Sequence, residues 1–428
     1  MHFDEIRGLY TPSYFTMRLA TTQDLHPLSD LDIKYLSTYF HEYFHFLQDL
    51  TTVFGLNCSW NTYDRTIRAL EYAQKTEGEV VVPLPNELGI ELLRNLTVQK
   101  HVYGDKTPEK AISDKFSIVG IEIVSKAELK DLIPDEANKF VRVSLMDEKE
   151  VTTQFWFGGI AVIESMTYLI QGKFFDTSHT PVFPYKAAWI IAGHINGQFK
   201  ERPELVFSLC EIALYSPYPG LSFYEILKHI NDNSIEINET SELYRLGLEQ
   251  IERKWGLWNK LQKNKDKLTN IVSQLYGHEV FKREREWLIH LIEEGAKIRT
   301  SDPSFMLEMY QSETAFGPEL MSIYERLGTP ETINAENKRW FASPAAMQEN
   351  DGQIHTVFLT GFKQIQNLLL FGKKDCILIA HCEGSEVEMP IDKYCFNAPW
   401  EKTKQDPLCP FAALWKSFGL DAKTIRIS

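Results

Sequence analysis

The sequence predicts an α+β fold, and two observations carry that expectation. Long stretches with apolar residues at helical spacing occupy much of the chain, notably residues 31–54 and 241–298, while short β-branched runs gather between about 75 and 150. With 428 residues, 43% of them hydrophobic and 12% aromatic, the chain can bury a large core in two or three units.

Taken in order, Ser13–Leu19 alternates apolar and polar residues and reads as a strand. Leu31 to Phe54 reads as one helix, with Ser29 or Asp30 as N-cap and Gly55 to end it. A further helical stretch lies near Asn61–Ala73. The runs Glu79–Val82, Ser117–Val124 and Phe140–Leu145 read as strands of one small sheet. An apolar helix opens after Gly158-Gly159, and Ala187 to Ala192 is a core helix. From Ser241 to Ile298 the helices are charged and amphipathic, with Trp255, Trp258, Leu261, Leu268 and Ile271 marking the buried stripe; they suit a helical subdomain or a partner-binding arm. Cys376–Ala380 reads as a strand of a small C-terminal α/β unit. Ser216–Gly220 and Gly328–Pro330 are the expected joints, giving segments of about 1–235, 236–345 and 346–428.

Net charge is −14, with no Lys/Arg-rich run to track phosphates, which argues against nucleic-acid binding. No segment approaches the ~20 apolar residues of a membrane span, and the start MHFDEIRGLY lacks a signal-peptide pattern, so a cytoplasmic setting is expected.

The most informative residues are His41-Glu42-Tyr43-Phe44-His45, an H-E-x-x-H pentapeptide inside the 31–54 helix. Helical spacing puts both imidazoles on one face, and Glu42 beside them. Around them the helix is apolar except for the stripe Thr38, His41, His45, Gln48 and Thr52, edged by Glu42 and Asp49. Polar groups on a buried helix need internal partners, and a metal site supplies them; two core histidines bonded to backbone are the plainer alternative.

On this motif the chain resembles the zincin metallopeptidases. The resemblance covers the motif helix and one later helix, and implies a zinc ion (Zn2+) held by His41 and His45, with Glu42 as general base. The metzincin order is excluded, since Gln48 stands where it needs Gly and Thr52 near where it needs His. A gluzincin takes a Glu from a second helix, and Glu164 in GGIAVIESMTYLIQG fits that pattern, its charge calling for a cation amid apolar neighbours. Glu211 and His194 remain rivals for the third ligand. The stretch from His45 to Glu164 exceeds the usual gluzincin spacing and implies an insertion at about residues 75–150 in a zincin-like region at 1–235.

The expected reaction is hydrolysis of a peptide bond in a protein or peptide substrate by zinc-activated water. Tyr168, His194, Tyr215 and Tyr218 are candidate oxyanion donors. An extended peptide could pair with an edge strand near Ser13–Leu19. A non-catalytic partner-binding module and a hydrolase of a non-peptide amide are the alternatives; an intact Glu42 weighs against the first. His278-Glu279-Val280-Phe281-Lys282 starts like the motif but ends in Lys, so it is a decoy. Cys376, Cys382, Cys395 and Cys409, with His381, fall close together but hold no C-x-x-C pair; buried free thiols are expected, with a structural zinc site the weaker reading.

Overall fold

A computed structural model describes residues 7–84, 98–113, 115–125, 139–348, 354–383 and 390–428. Parts of the expected insertion, 85–97, 114 and 126–138, lie outside the described residues, as does most of the MHFDEIRGLY start. The fold is α+β.

The strands β1 (Gly8–Thr11) and β2 (Thr16–Leu19) form an antiparallel pair. The expected strand over Ser13–Leu19 starts late because Ser13 and Phe15 take positive φ, 67° and 48°, in the connecting turn. Helix α1 (Ile33–Thr51) carries the motif, with Asp32 and not Ser29 or Asp30 at its N-cap position. It ends before Gly55. Thr52 is extended, its hydroxyl donates to the Gln48 carbonyl at 2.7 Å, and its Oγ1 accepts the Gly55 N–H at 2.9 Å as the N-cap of α2 (Val53–Lys75). Gly55 instead serves the tight corner: a Cβ there would lie 2.4 Å from the carbonyl oxygens of Gln48 and Asp49. The expected Asn61–Ala73 helix is part of α2.

The strands β3 (Glu79–Val82), β4 (Phe116–Ser125), β5 (Lys139–Asp147) and β6 (Thr152–Phe157) follow. Of the three expected strands only β4 and β5 share a sheet, antiparallel throughout and completed by β6, which no sequence expectation covered. β3 departs from it and pairs in parallel with β9 (Thr424–Ile427) near the C-terminus, burying Val80 and Val82 there.

Helix α3 (Gly159–Phe174) begins right after β6 with Gly158 as N-cap, so it opens at Gly159, one residue ahead of the expected start after the Gly158-Gly159 pair. A Cβ on Gly159 would stand 2.3 Å from the Phe54 ring, so glycine lets α3 settle against the α1–α2 corner. Then come α4 (Ala187–Ile195), α5 (Pro203–Ala213), α6 (Pro219–Asp232), α7 (Thr240–Trp255), α8 (Leu257–Leu275), α9 (Lys282–Ser301), α10 (Phe305–Gln311) and α11 (Pro318–Leu327). On the expected stripe Leu261, Leu268 and Ile271 are buried, but Trp258 is exposed, its ring edge on Tyr215.

The strands β7 (Glu331–Ile333) and β8 (Arg339–Trp340) return to the start of the chain, giving a sheet of order β1-β2-β7-β8 in which β2 and β7 run parallel. The short α12 (Ala345–Gln348) precedes α13 (Val357–Phe371), α14 (Ile379–Glu383), α15 (Lys393–Asn397) and α16 (Pro410–Ser417). The strand expected at Cys376–Ala380 does not form. The Cys376 N–H goes to the Cys395 carbonyl at 2.8 Å and the Ile377 N–H to Gln364 Oε1 at 3.0 Å, which leaves no ladder and turns Leu378 inward.

All three segments contribute to one buried cluster running from Tyr10 to Ile425, with α1 packed on β1, β2, α2, α3 and α9. Gly328–Pro330 is buried, and of Ser216–Gly220 only residues 216–218 connect α5 to α6, Pro219 and Gly220 opening α6. Among the described residues no helix is long and apolar enough to cross a membrane.

Candidate metal centre

One side of α1 faces α3, and that contact builds the site. His41 and His45, one turn apart, meet Glu164 from α3. The His41 and His45 Nε2 atoms are 3.1 Å apart, and Glu164 Oε2 lies 3.2 Å from the first and 3.4 Å from the second. These three ligand atoms form a nearly equilateral triangle. Tetrahedral ligands held about 2.0–2.1 Å from an ion stand about 3.3–3.4 Å apart, so the triangle has the size of one face of a zinc shell.

The far side of each ring is anchored. His41 Nδ1 lies 3.0 Å from Gln171 Oε1, and the Gln171 amide in turn donates to the Ser37 hydroxyl (2.9 Å) and carbonyl (3.2 Å). His45 Nδ1 lies 2.9 Å from Gln48 Oε1, whose amide donates to the Ile163 carbonyl at 3.2 Å. A glutamine carbonyl oxygen can only accept, so each Nδ1 carries a proton and Nε2 is the ring nitrogen left to turn its lone pair on a ligand once any proton there has gone. Gln48, seen in the polar stripe, thereby has a partner and a task. Gln171 went unnoticed in the sequence.

Glu42 is buried beside them, and its Oε2 accepts the backbone N–H of Tyr10 from β1 at 2.8 Å. Seven residues on, Asp49 accepts the Ser13 N–H at 2.6 Å and the Tyr10 hydroxyl at 3.1 Å. Both acids on the edge of the stripe thus fasten the β1–β2 hairpin to α1. The closeness has a steric condition: a Cβ on Gly8 would fall 2.4 Å from Thr38 Cγ2 and 3.2 Å from Glu42 Oε1.

Electrostatics follow from burial and charge. Burial alone would lower the His45 pKa, but the Glu164 carboxylate outweighs it and lifts the value to about 9. Burial likewise opposes ionisation of Glu164, yet the two imidazoles hold its carboxyl far below the usual range. Burial pushes Asp49 up to about 6, against its hydrogen bonds from Ser13 and Tyr10.

His41 and Glu42 open onto a cleft of about 490 Å³, whose wall includes Gly8, Gln171, His179 and Tyr185. The Tyr185 ring stands 5.9 Å from that of His41, and burial together with the Glu164 and Glu42 charges raises its pKa. Tyr185 sits in the PVFPYK loop before α4, where no periodicity marks it.

The rivals lie elsewhere. Glu211 is fully buried in a salt bridge to Arg299 and accepts the Tyr244 hydroxyl. Arg299 also donates to the Thr51 carbonyl at 3.0 Å, neutralising the C-terminus of α1. His194 is exposed on α4. Of the expected oxyanion donors, Tyr215 gives its hydroxyl to the Pro303 carbonyl at 2.6 Å, Tyr218 stacks on Trp255, and Tyr168 carries Lys186 over its ring; none lines the cleft. His278 caps the turn Glu279–Phe281 by accepting the Val280 N–H, which suits its reading as a decoy.

Among the described residues, His41, His45 and Glu164 are the group whose ligand atoms stand close enough together to hold a metal. Comparison with protein-family models, with curated proteins and with solved structures finds no match.

Proposed function

We propose that the protein is a zinc-dependent metallopeptidase with a gluzincin-like ligand set, His41, His45 and Glu164, and with Glu42 as general base. The observation that carries this reading is the equilateral triangle of Nε2, Nε2 and Oε2, its imidazoles fixed in the metal-accepting tautomer by Gln171 and Gln48. Two neutral imidazoles and a carboxylate make up the donor set of catalytic zinc sites that leave the fourth position open. Bound zinc supplies Lewis acidity and brings a water's pKa near ~7.

Within that frame the chain's own groups have separate tasks. Glu42, oriented through the Tyr10 N–H, takes the proton from the attacking water and returns it to the leaving amine. Tyr185, protonated at neutral pH and facing the cleft, donates to the developing oxyanion. β1 is the outer strand of its sheet. The bond from the Ala20 N–H to the Arg7 carbonyl marks the alternate residues that face β2, so Gly8 and Tyr10 turn their backbone groups outward. An extended substrate pairs there beside Glu42 through the Gly8 groups and the Tyr10 carbonyl, the Tyr10 N–H being held by Glu42, which favours a protein or peptide over a small amide.

The test is Glu42→Gln in the zinc-loaded protein, assayed on a diverse peptide library. Cleavage should fall by about 10²–10⁴-fold with zinc retained. A zinc-loaded wild type that cuts no member of the library would favour the partner-binding reading instead.

A further inference from the structure

Four of the six cysteines lie outside the site above and come together from separate segments. Cys376 follows α13, Cys382 lies in α14, Cys395 in α15, and Cys409 is the N-cap residue of α16. All four line one cavity of about 20 Å³, together with Leu378, Phe411, Lys402 and several prolines. That is room for a single ion or water, and too little for a multi-iron cluster. None of the four is in a disulfide.

We propose that Cys376, Cys382, Cys395 and Cys409 form a second, structural site for one thiolate-bound divalent metal ion, zinc by preference. Backbone N–H groups already point at two of the sulfurs: that of Leu378 at Cys376, and those of Ala412 and Phe411 at Cys409. Burial outweighs these donors and raises the Cys376 and Cys409 thiols, so the ion itself must displace their protons. A divalent ion with four thiolates carries two net negative charges, and buried Lys402 stands at the same cavity, its charge shared with Asp392. Its ammonium is held by the Pro390 carbonyl at 2.7 Å and Asp392 Oδ2 at 3.2 Å.

The local structure gives the ion a purpose. Between α13 and α16 the described chain is loops, a short 3-10 stretch and two five-residue helices, with the Cys376 to Cys395 backbone bond as one tie between distant parts. Pieces that small gain stability from a metal staple. Thiols acting only as small apolar side chains would scatter through the core, as Cys58 and Cys210 do.

Binding is an exchange without redox change. Four S–H bonds release their protons, and four metal–sulfur bonds form. The sulfurs do not stand as close together as the His41, His45 and Glu164 atoms, so binding requires the four side chains to move inward on the ion. His381 takes no part, since it faces a different cavity with Arg339 and His355.

The experiment uses the full chain carrying His41→Ala and His45→Ala, reconstituted with zinc under reducing conditions. It should keep about one zinc per chain, with zinc-edge spectra showing sulfur-only ligands at about 2.3 Å. A mercurial should release that zinc in step with four thiols. A folded variant that binds no zinc, or whose zinc has nitrogen or oxygen ligands, overturns the proposal. Should the double variant fail to fold, the wild type decides: Cys382→Ser with Cys409→Ser should lower its zinc content by about one and its melting temperature, and unchanged zinc content refutes the site.

Discussion

The Glu42 carboxylate accepts the backbone N–H of Tyr10 across 2.8 Å, which ties the proposed general base to the outer strand of the N-terminal sheet. One contact therefore sets both the angle of the base and the distance of the strand where a substrate would pair. Gly8 makes the approach possible. Gly8→Ala should push β1 off α1 and lower kcat/KM at least tenfold, with zinc affinity nearly unchanged; a parallel measurement of zinc affinity and peptide hydrolysis separates the two effects.

Gln171 and Gln48 fix the tautomers of His41 and His45. Replacing either with Ala should weaken zinc binding about 10–100-fold, the usual cost of losing a group that orients a metal ligand. Competition with a chromophoric chelator measures it, and unchanged affinity in both variants would remove the proposed role of the amides.

Glu164 and Glu211 look alike in sequence, each a Glu in an apolar helix, but their variants should behave in opposite ways. Glu164→Ala should abolish tight zinc binding while the fold holds. Glu211→Ala leaves the Arg299 guanidinium buried without its carboxylate and should cost about 3–5 kcal/mol of stability with zinc affinity in the folded protein near normal. Thermal unfolding with metal analysis distinguishes them.

The pH dependence has a definite sign. In metal-free protein the His45 pKa is raised to about 9 from an ordinary value near 6.5, so its contribution to stability is full below about 6.5 and is lost as pH rises through 9. Glu164, shifted down, contributes above the ordinary carboxylate range and loses that contribution in acid. The metal-free melting temperature should therefore fall between about pH 6.5 and 9. Zinc requires the neutral ring, so over the same window its affinity should rise, with about one proton released per zinc at pH 7. Calorimetry in buffers of different ionisation enthalpy counts that proton.

How much of this was legible beforehand depends on how local the cause is. The stripe His41, Glu42, His45 and Gln48 is written in helical spacing, and the Gly158-Gly159 start of the Glu164 helix in backbone chemistry; the stripe appears where expected and the start one residue early. Gly55 predicts a later end for α1 than the structure has, because the Thr52 hydroxyl both closes one helix and caps the next. What sets Glu211 apart from Glu164 is its pairing with Arg299, 88 residues further on, and no local pattern announces such a partner. The pairing of β3 with β9 and of β2 with β7 is equally remote in sequence. Tyr185 and Gln171 were passed over for different reasons: one is in a loop, and the other is an ordinary polar residue on a helix until its neighbour is known.

The central claim is that His41, His45 and Glu164 hold one zinc ion, and an anomalous difference map at the zinc edge from crystals of the zinc-loaded protein tests it most directly. The account predicts a peak about 2.0–2.2 Å from the Nε2 atoms of His41 and His45 and from a carboxylate oxygen of Glu164. Well-ordered crystals of protein loaded with excess zinc that show no peak between these three side chains would contradict it.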